Sequence, residues 1–375
     1  MDNTQSQILV VGGTVAGMAA AIAAADKGAH VTIISRTPLV RSADVAIKDG
    51  IAAVLHNSLG DSVEQHVRDT LSASNGRTNE NFVRQVCERA PTLVRFLARA
   101  GVLFNRTPEG NVDQVNAPGH ANPRTVRVDD ATGQHVVRVL EEQVRRCESA
   151  GSIDRNEYLV PLSLVFDEEN RCRGVVIMQR YNHTCAALKA DAVIVTDTTS
   201  SCLYGEARQT GSGLATGDDH MTTLAGFFAA GSCTDECMGV SALSDNILAA
   251  NLVSGAGAGE SACSYVSGLT THADELGESL FERACDREEK YNKGLLDRSE
   301  GENPYVLADE FKVWREKWVA GERDEEALES IASRLEKAQL PDSSQWWNDS
   351  LIFTRDLMNQ IAQARAIMTN SSPPL

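Results

Sequence analysis

Residues 12–17, Gly-Gly-Thr-Val-Ala-Gly, are the segment with the clearest chemistry. Glycines at that spacing, after a short apolar run and before an Ala-rich stretch, build a tight turn. The turn aims a helix N-terminus at an anion such as a dinucleotide pyrophosphate. Gly12 makes the turn and Gly17 lets helix and strand approach, with Gly13, Val15 and Ala16 supplying backbone. Thr14 stands where a second glycine would admit the phosphates and so narrows the approach. The bland alternative is an ordinary βα turn whose glycines answer only to sterics. The second β-run ends Ser35-Arg36, without the acidic residue that holds a nicotinamide dinucleotide's ribose, which favours a flavin over a nicotinamide. For proton transfer or anion orientation the candidates are His120 and Arg124 in GHANPR, equally readable as a surface loop with Asn122 as a helix cap. Cys233-x-x-x-Cys237 lacks metal or redox spacing, so unpaired buried thiols are the expectation and no metal is called.

Those residues need elements to hold them. Ile8–Val11, the Ala-rich stretch and His30–Ile34 read as strand, helix, strand. Residues 61–102 read as helices through Phe82, Val86, Leu93, Phe96 and Leu97, with Pro91 suited to the first turn of a new helix. A further helix is expected over 134–149 and β-structure over 156–196. A compact block follows from Leu224 to Ala262, then charged helices over 273–340 and a last helix over 348–368. The tail TNSSPPL is expected to be disordered. Trp314, Trp318, Trp346 and Trp347 suggest a packed helical core, with an exposed docking surface as the competing idea.

The 375 residues are 42% hydrophobic and 23% charged, enough for one large or two ordinary domains. A net charge of −17 argues against nucleic acid as a partner. Nine scattered cysteines suggest a reducing, cytoplasmic setting, and neither a leader nor a membrane span is expected from the sequence.

The stretch VTIISRTPLVRSADVAIKDGIAAVL resembles the flavin-contacting segment of the succinate dehydrogenase and fumarate reductase flavoprotein family. Collinear with that family follow DSVEQHVRDTL, LARAGVLFNRTPEGNV, PRTVRVDDATGQHVVRVLEEQ, CRGVV, TGDD, LAGFFAAGS and ALSDNIL, and more weakly WWNDSLIFTRDLMNQI. The resemblance implies an α/β fold: a Rossmann-like FAD domain over 1–265 with a parallel sheet and a β-rich insertion, then an α-helical C-terminal domain over 266–375. It implies cofactor contacts at Gly12 to Gly17, Ser35, Arg36, Arg41, Ser42, Gly50, Leu162, Asp218, Gly231, Ser232, Ile247 and Leu248. The family's flavin-bearing histidine corresponds to Ala43, so FAD would be held non-covalently. Asp49, Thr196-Asp197-Thr198-Thr199 and Ser232 replace further flavin contacts. The family's capping domain has no counterpart between Asp218 and Gly226, and its substrate histidine and arginine fall at Met238 and Ala242. The implied function is an FAD subunit passing electrons inside a hetero-oligomer, with an iron–sulfur partner docked, at a membrane's inner face, over an apolar cleft beside Ile47, Ile247 and Leu248. Alternatives are a flavin-free structural subunit of a respiratory complex and a reductase completed by a partner chain.

Overall fold

The computed structural model describes residues 6–55, 60–75, 78–205, 207–209, 213–344 and 348–370. β1 (Ser6–Val11), α1 (Val15–Asp26) and β2 (Val31–Ser35) form the opening βαβ unit, with β1 parallel to β2. A short antiparallel pair, β3 (Ile51–Ala52) with β4 (Thr125–Val126), brackets α2 (Val63–Ser74) and α3 (Glu80–Ala100). α4 (Thr132–Ser149) then leads to β5 (Ile153–Glu157), which pairs parallel with β2. β6 (Leu159–Phe166), β7 (Cys172–Gln179) and β8 (Cys185–Val195) form an antiparallel meander. β8 is long enough to serve two systems. Its first half pairs with β7, and its second half lies parallel to β1 and to β9 (Phe227–Ala229).

Among the described residues this makes one seven-stranded sheet, ordered β5-β2-β1-β8-β7-β6 with β9 against β8. Central strands covered on both faces need continuous apolar runs, as found in Ile8–Val11 and Ala192–Val195. Alternate residues then serve opposite cores. Ile8, Val10, Ala192 and Ile194 face α1 and α4, while Leu9, Val11, Val193 and Val195 face the opposite layer. After β9 come α5 (Asp235–Val240) and α6 (Ile247–Ser267), the latter laid along α1. Small residues make that contact close: a Cβ on Gly255 would stand 2.2 Å from the Ala16 carbonyl oxygen, and one on Gly259 would stand 2.3 Å from that of Ala20.

The remaining chain is helical: α7 (Glu278–Leu296), α8 (Pro304–Val319), α9 (Glu325–Leu335) and α10 (Asp349–Asn370). α7 covers the meander through Phe281, Ala284 and Leu295, and Leu351 of α10 joins the same cluster. α8, α9 and α10 share a second cluster around Phe311, Trp314, Ile331 and Ile361. Trp314 stacks between Phe311 and Trp318 in that core, while Trp346 and Trp347 lie outside the described residues. One expectation fails here: Pro91 starts no new helix and sits inside the 21-residue α3. An interior proline costs about 3 kcal/mol. The apolar face Phe82, Val83, Val86, Cys87, Ala90, Val94 and Leu97 runs through it without a break, and its burial outweighs that loss.

Candidate functional site: a dinucleotide cleft and a buried polar network

The carboxyl ends of β1, β2 and β8 open into a cleft of about 720 Å³. Its floor holds Gly13, Thr14, Ser35 and Arg36, one side holds Arg41, Ser42 and Ala43, and the other holds Asp197, Thr198 and Thr199. α8 and α10 complete the wall with Arg315, Ile352, Asp356, Gln360 and Gln363. The C-terminal helices therefore help form the site. The Arg36 guanidinium is tied to Asp356 in two parallel bonds of 2.6 and 2.9 Å, joining the end of β2 to α10. Four arginines, at 36, 41, 180 and 315, against Asp197 and Asp356 leave the cleft lining net positive.

The glycine turn has the geometry its spacing requires. Gly12 has φ +120°, and a Cβ on Gly17 would lie 2.1 Å from the Gly12 carbonyl oxygen. Thr14 caps α1, its hydroxyl accepting from the Gly17 N–H at 3.0 Å and lying 3.0 Å from the Thr196 hydroxyl at the end of β8. The next donor at the helix start is also taken: the Val15 N–H donates to the Asp44 carboxylate at 2.6 Å. Ser42 and Asn251 donate to the same carboxylate at 3.1 and 3.3 Å. Burial raises the Asp44 carboxyl above its ordinary range, outweighing those three hydrogen bonds. Asp44 was not singled out in the sequence. The only signal for it there was a carboxylate beside the Ser42-Ala43 segment.

A second polar assembly lies where α2, the loop before β4 and the start of α6 meet. Arg124 is fully buried, although Gly119 and Ala121 of the same GHANPR loop are exposed. Its guanidinium meets Asp61 at 3.0 and 2.7 Å, Asp69 at 2.9 Å and His120 Nδ1 at 3.2 Å. A guanidinium only donates, so His120 Nδ1 accepts and Nε2 carries the proton toward Asp245 at 2.8 Å. Asp245 also accepts from the Thr125 hydroxyl. His66 donates to the Asn246 side chain at 2.9 Å, and burial pushes its imidazole down to about 4. Asn122 caps no helix; its amide reaches Asp61 at 3.2 Å. Two carboxylates already neutralise Arg124, so it has no free fork for a substrate anion.

The other expected contacts scatter. Gly50, at φ +100°, is needed because a Cβ would strike the Val126 carbonyl oxygen at 2.5 Å. Gly231, at φ +76°, packs on Ala16, and Ser232 follows it half-buried. Asp218 lies on an exposed turn. Leu162 is core under α7, and Val160, two residues earlier on β6, lines the cleft instead. Ile47 and Ile247 are half-buried, but Leu248 is wholly buried in the main core, so no apolar surface opens at that residue. All nine cysteines are unpaired, and Cys233 and Cys237 are buried with their thiols pushed up by burial. Among the described residues no group of His, Cys, Asp and Glu could hold a metal.

A parallel sheet with a glycine turn and a positive cleft at its carboxyl edge defines a dinucleotide-binding α/β protein. The chain belongs to the FAD binding domain family, whose model matches residues 7–221. It is 25% identical over 517 aligned positions to the succinate dehydrogenase flavoprotein subunit of Bacillus subtilis, spanning 97% of this chain and 88% of that one. To the fumarate reductase flavoprotein subunit of Escherichia coli it is 30% identical over 220 positions, 58% of this chain and 35% of the relative. Among solved structures, quinol fumarate reductase of Escherichia coli superposes with TM-score 0.84 at 19% identity, covering 98% of this chain and 89% of that one. Sdh1 of Mycobacterium smegmatis gives 0.86 at 17%, covering 99% and 88%. The chain is thus a flavoprotein of the succinate dehydrogenase and fumarate reductase type in sequence and fold. The net-positive lining beside the glycine turn is compatible with a dinucleotide such as FAD. At the pyrophosphate end the residues fit only with the Asp44 carboxylate displaced.

Proposed function

We propose that this chain is an FAD-holding electron-transfer subunit that does not itself interconvert succinate and fumarate. The observation that carries this reading is the paired state of Arg124. The positions matching the family's substrate histidine and arginine hold Met238, which is 46% exposed, and Ala242, so Arg124 is the nearest candidate to orient a dicarboxylate. Its charge is spent on Asp61 and Asp69. A transition state carrying developing charge then gets no help from that guanidinium.

The chain is also read as a shortened member of its type. Asp218 and Gly226 are joined by one turn packed against β9, and the match to the Bacillus relative runs over more positions than this chain has residues. Held at the cleft, FAD would meet the Gly13–Thr14 turn, Ser35 and Arg36 at the end of β2, Arg41, Ser42, and Asp197 to Thr199 after β8. Ala43 offers no nucleophile, so the attachment is non-covalent. When bound, the flavin supplies electron transfer between donor and acceptor. The chain's own residues position the nucleotide and wall it off with α8 and α10.

Several relatives are flavoprotein subunits of succinate dehydrogenase or fumarate reductase, and the partner proposed here is an iron–sulfur electron-transfer chain at the inner face of a membrane. No helix among the described residues is long and apolar enough to cross a membrane. A flavin-free structural subunit is the second reading, and Asp44 at the start of α1 favours it. The test is fumarate reduction by FAD-saturated protein with a reduced dye as donor. No turnover above the flavin-only blank is expected. A rate near the ordinary enzymatic median of about 10 per second contradicts the proposal.

A further inference from the structure

The start of α1 carries the donors that a dinucleotide pyrophosphate needs, and this chain satisfies them from within. The Gly17 N–H goes to the Thr14 hydroxyl at 3.0 Å, and the Val15 N–H goes to the Asp44 carboxylate at 2.6 Å. Asp44 is held from three directions: by Val15 on α1, by Ser42 on its own segment and by Asn251 on α6. All three partners donate, so the carboxylate sits in a seat built for an anion. Ser42 and Ala43, immediately before it, line the same cleft as Gly13 and Thr14. A pyrophosphate carries only acceptors and negative charge. It cannot share the Val15 N–H with a carboxylate, because like charges repel and the buried amide has one proton to give.

Resting on the FAD reading above, we propose that Asp44 is an internal occupant of the pyrophosphate seat and sets this chain's affinity for adenosine pyrophosphates. FAD binds by displacing the carboxylate from the Val15 N–H, and Ser42 and Asn251 are then free to donate to phosphate oxygens. Adenosine, which has no phosphate, reaches the rest of the cleft without meeting Asp44.

The experiment is calorimetric titration of the full chain with adenosine, ADP and FAD, in the wild type and in Asp44→Asn and Asp44→Thr. Both substitutions remove the charge and keep a polar side chain, so either serves if the other does not fold. ADP and FAD should bind at least tenfold tighter to the variants, with adenosine unchanged within twofold. Unchanged or undetectable ADP binding in the variants overturns the proposal. So does an equal gain for adenosine, which marks a loosened cleft. If the variants gain ADP affinity but no protein takes FAD, the seat stands and the FAD reading falls. If wild type and variants bind FAD equally well, the FAD reading stands and the role of Asp44 falls.

Discussion

Arg124 and His66 show what the buried polar network contributes and what it withholds from chemistry. Removing the guanidinium leaves Asp61 and Asp69 facing each other with no cation between them. Taking one partner from a buried ion pair costs about 3–5 kcal/mol, so Arg124→Met should lower the unfolding free energy by that amount in a urea titration. A loss below 1 kcal/mol would mean that water already relieves the pair. His66 gives the network a pH signature. Its folded pKa of about 4 lies below the ordinary 6.5, and desolvation is the main cause. Between those values the unfolded chain binds a proton that the folded chain refuses. Stability is therefore full above about pH 6.5 and falls as the pH drops toward 4, by on the order of 3 kcal/mol. His66→Gln removes this slope. The difference between wild-type and variant stability should narrow from pH 7.5 to pH 4.5, and parallel profiles would show that the imidazole is not desolvated as described.

At the scale of elements, α1 is clamped between the sheet and α6 by residues without side chains. Gly255→Val places branched carbon where the Ala16 carbonyl oxygen stands, 2.2 Å from the added Cβ. Backbone cannot yield as a flexible side chain does, so the substitution should cost at least the 1–3 kcal/mol typical of overpacking, read as a fall in the thermal midpoint. An unchanged midpoint would mean that α6 slides freely along α1. Much of this level was legible in the sequence: glycine spacing and β-branched runs marked the βαβ unit, and polar turns marked the meander. Pro91 misled because a local breaker was weighed without the apolar face that spans it. Asn122 misled because a capping type was read where its partner is Asp61, 61 residues away. The network of Asp61, Asp69, His120, Arg124 and Asp245 was only half visible. Its members come from three segments that tertiary packing brings together, and no local period links them. Asp44 escaped for a related reason: its meaning depends on an amide 29 residues earlier in the chain.

For the whole molecule, the helical C-terminal stretch does more than follow the FAD domain. The Arg36–Asp356 pair joins the end of β2 to α10, and α8 and α10 wall the cleft, while the Asp44 carboxylate takes the Val15 N–H at the start of α1. On the reading proposed above, a chain with that cleft and with Arg124 already paired to Asp61 and Asp69 would carry a redox group whose chemistry a partner directs. The most direct measurement is to saturate the purified protein with FAD, remove the excess, denature it in acid and separate pellet from supernatant. The account predicts about one FAD per chain, all of it in the supernatant. Flavin retained on the precipitated polypeptide, or no flavin uptake at any concentration by a folded chain, would contradict it.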